Sequence, residues 1–241
     1  MKVLLFIIFV LPQLAVAQEK QTAISKYDLQ VINDIGTYKI LVNENPDNQL
    51  IDLRQLIPGA KFDIRYATAG NLVHKPVYPT ADIFLRKPAA MALLRAQQIL
   101  AGQGLGLLFF DGYRPYEVTV IFYETIKDTT FVADPRKGSR HNRGMAVDLG
   151  LFDLKTGQPL PMPSDYDETT ERAYHSFLGA DSLAINNRKI LRTTMEEAGF
   201  EIYPWEWWHY DFRGWKNATL FDIWHSEIRQ ANLELAKKKY P

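Results

Sequence analysis

Ser139-Arg140-His141-Asn142-Arg143-Gly144-Met145-Ala146-Val147-Asp148 is where a basic, turn-rich loop runs into an apolar strand. The loop, Val132 to Arg143, contains Pro135 and Gly138 and is predicted to be irregular. The strand is predicted over Met145 to Phe152. Gly144 allows a sharp bend at the junction, so the chain can fold back and bring His141 and Asp148 to one point. A neutral imidazole and a carboxylate are both good zinc ligands. On spacing alone, a loop histidine and a strand aspartate that cap or pair structurally fit these residues as well.

Toward the C-terminus, Glu206-Trp207-Trp208-His209 opens a predicted strand that runs to Phe212. A second short strand, Glu201 to Tyr203, precedes it across Pro204. In a regular strand Trp207 and His209 face one way and Glu206 and Trp208 the other. A bulge or turn after Pro204 would bring Glu206 into the same cavity as His209. Taken alone, the motif also fits an aromatic core strand with one satisfied histidine. Together the two stretches supply His141, Asp148 and His209 as three ligands, which leaves a fourth zinc position for water. Glu206 is the candidate base that takes that water's proton.

Toward the N-terminus, Ala90, Leu93, Leu94, Ala96 and Leu100 recur at helical spacing, which predicts a helix over 86–102 closed by Gly102 and Gly104. Leu105 to Phe110 reads as a buried strand delivering Asp111-Gly112-Tyr113-Arg114-Pro115 at its end, and Tyr116 to Lys127 suits a further helix. Residues 153–184 read as a polar insertion. A helix is predicted over Asn186 to Ala198, with Gly199 at its end, and an amphipathic helix over Leu220 to Lys239. Helices and strands alternate irregularly, so the fold class expected is α+β.

The length, 241 residues, suits one good core. Lysine plus arginine equals aspartate plus glutamate, 28 each, so nothing in the charge asks for a nucleic acid or an anionic membrane. There is no cysteine, which excludes disulfides and thiolate zinc sites and leaves histidine and carboxylate as metal ligands. Lys2, the apolar run Val3 to Val10 and Ala15-Val16-Ala17 predict a secretory signal peptide over 1–17. The mature protein is then expected to be secreted, in the periplasm, with no membrane span left. Of the five histidines, His74, His175 and His225 lie in contexts that suggest no metal role.

The pattern Ser-x-His-x-x-Gly-x-Ala-x-Asp followed by Glu-x-Trp-His resembles the D-alanyl-D-alanine dipeptidases. These belong to the zinc D,D-peptidase group, which also contains D,D-carboxypeptidases. Phe62-Asp63-Ile64-Arg65-Tyr66-Ala67-Thr68, Asp111-Gly112-Tyr113-Arg114-Pro115, Pro161-Met162 and Gly199-Phe200-Glu201 extend the resemblance over roughly Leu50 to Phe212. It implies a single compact catalytic domain over 50–219, with a central antiparallel sheet flanked by helices. Residues 18–49 are then an N-terminal extension and 220–241 a C-terminal helix.

The resemblance further implies one zinc ion on His141, Asp148 and His209, with Glu206 as general base and acid. It gives Arg114 the stabilisation of the tetrahedral oxyanion, and Ser139 and Asp167 the substrate's free amino group. Tyr66 and Tyr113 match pocket-lining aromatics. The substrate implied is a small peptide from peptidoglycan, D-alanyl-D-alanine or a close relative, met in wall turnover or salvage. A D,D-carboxypeptidase or endopeptidase acting on longer wall peptides would use the same centre. A non-catalytic wall-binding module with a structural zinc would need neither Glu206 nor Arg114.

Overall fold

The computed structural model describes residues 20–128 and 132–239; the expected signal peptide, residues 1–17, lies outside them. The chain forms β1 (Ala23–Ile24), β2 (Gln30–Val31), α1 (Ile35–Glu44), β3 (Leu50–Asp52), α2 (Leu53–Leu56), β4 (Lys61–Phe62) and β5 (Phe84–Arg86). Then follow α3 (Lys87–Ala101), β6 (Leu105–Asp111), α4 (Tyr116–Ile126), β7 (Ala146–Asp153), α5 (Ser182–Ala198), β8 (Phe200–Tyr203), β9 (Glu206–Phe212) and α6 (His225–Lys239). The fold is α+β, as the irregular alternation suggested.

The central sheet has the order β4-β6-β7-β9-β8. Its four long strands pair antiparallel. The expectation of an antiparallel sheet needs one correction: the edge strand β4 runs parallel to β6, pairing Lys61 with Leu108 and Phe62 with Phe109. The reason lies in the connection. The chain between them passes through β5 and α3, and a long crossover of this kind returns a strand in the same direction.

Strand β6 is apolar at almost every position and buried from Gly106 onward, because both of its faces are covered. α3 buries Ala89, Ala90, Leu93, Ala96 and Leu100, and α5 buries Leu191, Met195 and Ala198 in the same core. Each large side chain buried here contributes about 1.5–3 kcal/mol. α5 starts four residues earlier than the periodicity indicated, because the Asp181 side chain accepts from the Leu183 N–H and caps the helix.

The polar insertion is irregular but anchored. Asn187 donates to the Pro161 carbonyl, and Arg188 donates to the carbonyls of Tyr174 and Phe177. Trp207 Nε1 donates to Ser164 Oγ at 2.9 Å. These bonds hold the segment carrying Tyr166 and Asp167 over the sheet.

The terminal helix, by contrast, is shorter than expected. Residues 220–224 are extended instead, because their backbone is needed elsewhere. Phe221 donates to the Asn142 carbonyl, and Asp222 donates to Ile32. A second core joins the two ends of the chain: Tyr38, Phe84, Tyr113, Phe221, Ile223 and Ile228 pack together. Tyr38 Oη accepts from the Leu50 N–H at 2.9 Å, and Asn232 Nδ2 donates to the Leu50 carbonyl at 2.7 Å. The segment before residue 50 and α6 are thereby both tied to the start of β3. No helix among the described residues is long and apolar enough to cross a membrane.

Candidate active site

Three adjacent strands set the site. Asp111 on β6 pairs with Asp148 on β7, and Asp148 pairs with His209 on β9, so the three residues form a row across the sheet. His141 reaches this row from the preceding turn, His141–Arg143. Gly144 ends that turn at φ +61°, and a Cβ there would stand 2.6 Å from Leu50 Cδ2. Both the backbone conformation and the close approach require glycine. Asn142 fixes the turn from beneath: it donates to the Arg114 carbonyl and to Thr119 Oγ1 at 2.9 Å each and accepts from the Ser139 N–H at 2.7 Å.

His141 Nε2, Asp148 Oδ1 and His209 Nδ1 converge. The separations are 3.1 Å between the nitrogens, 3.0 Å from His209 to Asp148 and 3.4 Å from His141 to Asp148. A tetrahedral zinc with bonds of about 2.0–2.1 Å sets its ligands roughly 3.3–3.4 Å apart. The outer atoms fit a metal equally well. His141 Nδ1 lies 2.8 Å from the Gly112 carbonyl, and His209 Nε2 lies 3.0 Å from Asp211 Oδ1. Donation to these acceptors fixes each ring's tautomer and turns its lone pair inward. The second oxygen of Asp148 accepts from Tyr166 Oη at 3.1 Å. Among the described residues this is the group able to hold a metal, and all three members are buried.

The electrostatics follow from that burial. Against burial, which raises its pKa, the two imidazoles hold Asp148 well below the usual carboxylate range. Burial disfavours a charge on His209, but Asp211 and Asp148 outweigh it and push its pKa to about 10 with no metal present. Glu206 is shifted upward, first by burial and then by the charge of Asp148.

Glu206 Oε2 lies 3.8 Å from His209 Nδ1. The β8–β9 pairing shifts register between Ile202 and Tyr203, and this irregularity puts residues 206 and 209 on one cavity. Arg114 lines the same cavity from the turn after β6. Its Nη2 and Nε donate to Asp111 Oδ2 at 2.7 and 3.1 Å, and its guanidinium lies about equally far from the Tyr66 and Phe122 rings, 5.1 and 5.0 Å. Tyr78 Oη donates to the other Asp111 oxygen at 2.8 Å. The guanidinium is therefore paired with a buried carboxylate and packed against two aromatic rings.

Of the residues expected to touch substrate, three line this cavity of about 500 Å³: Tyr66, Ser139 and Asp167. Ser139 Oγ accepts from the His141 N–H at 3.2 Å. Tyr66 Oη donates to Asp167 Oδ1 at 3.2 Å, while Asp167 Oδ2 is buried with no hydrogen-bond partner. Burial, reinforced by the Asp148 charge, raises the Asp167 pKa well above its ordinary value. Tyr113 lies elsewhere. Its ring is fully buried in the second core, and its hydroxyl donates to the Ile223 carbonyl at 2.9 Å. The remaining histidines stand outside the site: His74 is exposed, His175 packs edge-on against Tyr210, and His225 meets the Tyr113 carbonyl.

Residues that motif reading did not single out complete the arrangement: Asp111, Tyr166, Asp211 and Arg140. Arg140 Nε sits 3.2 Å from Asp211 Oδ2, with its guanidinium 4.9 Å from each of the Tyr203 and Trp215 rings. It holds the carboxylate that in turn holds His209.

Comparison with known proteins gives the family. The D-alanyl-D-alanine dipeptidase of Enterococcus faecium is 36% identical over 181 residues, 67% of this chain and 90% of that protein. The Escherichia coli K12 protein of the same name is 34% identical, covering 68% and 84%. That of Streptomyces coelicolor is 34% identical, covering 66% and 89%. A solved structure described as an LdcB LD-carboxypeptidase aligns with 63% of this chain and 65% of its own at a TM-score of 0.37 and 20% identity, too distant to carry an argument. Residues 46–227 match the family described as D-ala-D-ala dipeptidase. The chain belongs to that family, whose members are metal-dependent dipeptide hydrolases.

Proposed function

We propose that this protein is a zinc dipeptidase that hydrolyses D-alanyl-D-alanine or a closely related dipeptide. The observation that carries the metal is the inward convergence of His141 Nε2, Asp148 Oδ1 and His209 Nδ1, with each imidazole's other nitrogen held by a carbonyl or carboxylate. A zinc ion held there supplies a Lewis acid for the scissile carbonyl and activates a water. Glu206 takes the proton from the attacking water as the new C–O bond forms. Negative charge grows on the carbonyl oxygen and is met by the fixed Arg114 guanidinium. As the C–N bond breaks, Glu206 returns the proton to the departing amine. Its upward pKa shift suits a group that must both accept and release a proton.

The dipeptide, rather than a longer peptide, is favoured by Asp167. A buried carboxylate oxygen without a partner is costly unless a donor arrives, and a free ammonium is such a donor. An N-acylated peptide has no ammonium to offer. The apolar start of the chain and its Ala-x-Ala site support export to the periplasm, where wall-derived fragments are the available substrates. Turnover or salvage of peptidoglycan peptides is the corresponding role.

The test is a comparison of D-alanyl-D-alanine with its N-acetyl derivative and with longer wall peptides ending in the same pair. Cleavage restricted to the free dipeptide supports the proposal. Preferential cleavage of the longer peptides moves the protein to the carboxypeptidase class.

A further inference from the structure

Beside the metal-centre cavity lies a second one of about 320 Å³. Leu72, Asp167, Tyr203, Glu206 and Trp208 form the wall that the two share. The three metal ligands and Arg114 line only the first. The second is bounded by Ala173, Tyr174 and Trp205. The Tyr174 and Trp205 rings meet edge to face at 5.0 Å, and Trp205 keeps 54% of its surface exposed at the turn between β8 and β9. Beyond that contact, Trp205 offers exposed apolar surface beside the cavity.

At its rim, Glu168 and Thr170 are already engaged. Glu168 accepts from Thr170 Oγ1 at 2.5 Å and from the Asp165 N–H at 3.4 Å, with Arg172 Nε 3.7 Å away. Away from the shared wall, the inner surface offered by Ala173, Tyr174 and Trp205 is aromatic and aliphatic. A cavity of about 150 Å³ already accommodates a benzene ring. The alanine methyl group would leave most of this space empty.

The position of the shared wall says which part of a substrate enters. In the proposed reaction Asp167 takes the ammonium and Glu206 works at the scissile bond. The carbon between those two groups is the Cα of the first residue, so its side chain departs between Asp167 and Glu206. Both carboxylates border the second cavity. We infer that this cavity is the subsite for the side chain of the dipeptide's first residue, and that it takes a large aromatic or branched apolar group. The inference rests on the dipeptidase reading and widens its substrate class beyond alanyl dipeptides.

The experiment compares alanyl-D-alanine and phenylalanyl-D-alanine, each with the D and the L first residue, on the full zinc-loaded protein. It is repeated with Trp205→Ala, which removes one wall, and with Thr169→Trp, which adds bulk at the exposed rim. The expected result is that the better phenylalanyl isomer is hydrolysed with kcat/KM within about tenfold of D-alanyl-D-alanine or above it. In each variant the ratio of phenylalanyl to alanyl kcat/KM falls by about tenfold or more. A ratio read on one preparation is unaffected by a fraction that fails to fold. Hydrolysis of D-alanyl-D-alanine with no hydrolysis of either phenylalanyl isomer overturns the inference alone, as does a ratio that both variants leave unchanged. Failure to hydrolyse any of these dipeptides overturns the dipeptidase reading and the inference with it.

Discussion

Asp148 Oδ1 lies 3.0 Å from His209 Nδ1, and the two residues are direct partners across adjacent antiparallel strands. Two of the three proposed ligands are thus placed by sheet register, and only His141 depends on a loop. A one-residue slip of β9 would turn His209 to the other face, so the metal centre and the strand pairing stand or fall together.

Zinc binding should release a proton. Carboxylates raise the His209 pKa to about 10 in the metal-free site, so the ring is an imidazolium at pH 7, and zinc must displace its proton. Calorimetric titration in buffers of different ionisation enthalpy should show about one proton released per zinc at neutral pH, declining as the pH approaches 10. A proton count near zero at pH 7 would contradict this.

Removal of the base should separate chemistry from binding. Glu206→Gln is expected to lower kcat by about 10²–10⁴-fold. Zinc content, measured by elemental analysis, should stay at one per chain, because Glu206 is not a ligand. Loss of zinc alongside activity would give Glu206 a different role.

The Asp111–Arg114 pair is buried, and its two ends are not equivalent. Arg114→Lys loses the planar fork and should reduce kcat by about 10²–10³-fold. Asp111→Asn leaves a buried guanidinium without its carboxylate and should cost about 3–5 kcal/mol of stability, read by denaturant unfolding. Equal stability of the Asp111 variant and the wild type would show that the pair is dispensable to the fold.

Asp167 illustrates a conflict between stability and binding. It adopts φ +65°, in the left-handed region, and burial raises its pKa. A carboxyl whose folded pKa is raised binds more protons when folded, so stability falls as pH rises from its unfolded pKa toward the folded one. Asp167→Asn removes that loss and tolerates the backbone. It should stabilise the metal-free protein at pH 7 by about 0.5–2 kcal/mol, with the gain vanishing below roughly pH 4. The same variant should raise KM for the dipeptide by about 10–100-fold through loss of a charged partner. Thermal melts against pH and steady-state kinetics read the two effects; unchanged KM would remove Asp167 from the substrate site.

Much of this arrangement was legible in local pattern. The helical spacing of Leu93, Ala96 and Leu100, the apolar run of β6 and the bend at Gly144 all act over a few residues, and each lies where periodicity put it. Asp211 was within reach of the same logic, since it shares a strand face with His209. So was Asp111, three residues before Arg114 across a turn. What was not legible depends on distant chain. β4 runs parallel because of what the intervening chain does, and residues 220–224 stay extended because Ile32 and Asn142 take their backbone bonds. The Tyr166 contact to Asp148 crosses an insertion with no periodicity, and Tyr113 is drawn into a core built from both ends of the chain.

The most direct measurement is release of D-alanine from D-alanyl-D-alanine by the purified protein, before and after chelation, after zinc is restored, and in Glu206→Ala. The proposed function predicts rapid release, loss on chelation, recovery with about one equivalent of zinc, and no recovery in the variant. Release that survives chelation, or that persists in Glu206→Ala at the wild-type rate, would contradict a zinc dipeptidase built on His141, Asp148, His209 and Glu206.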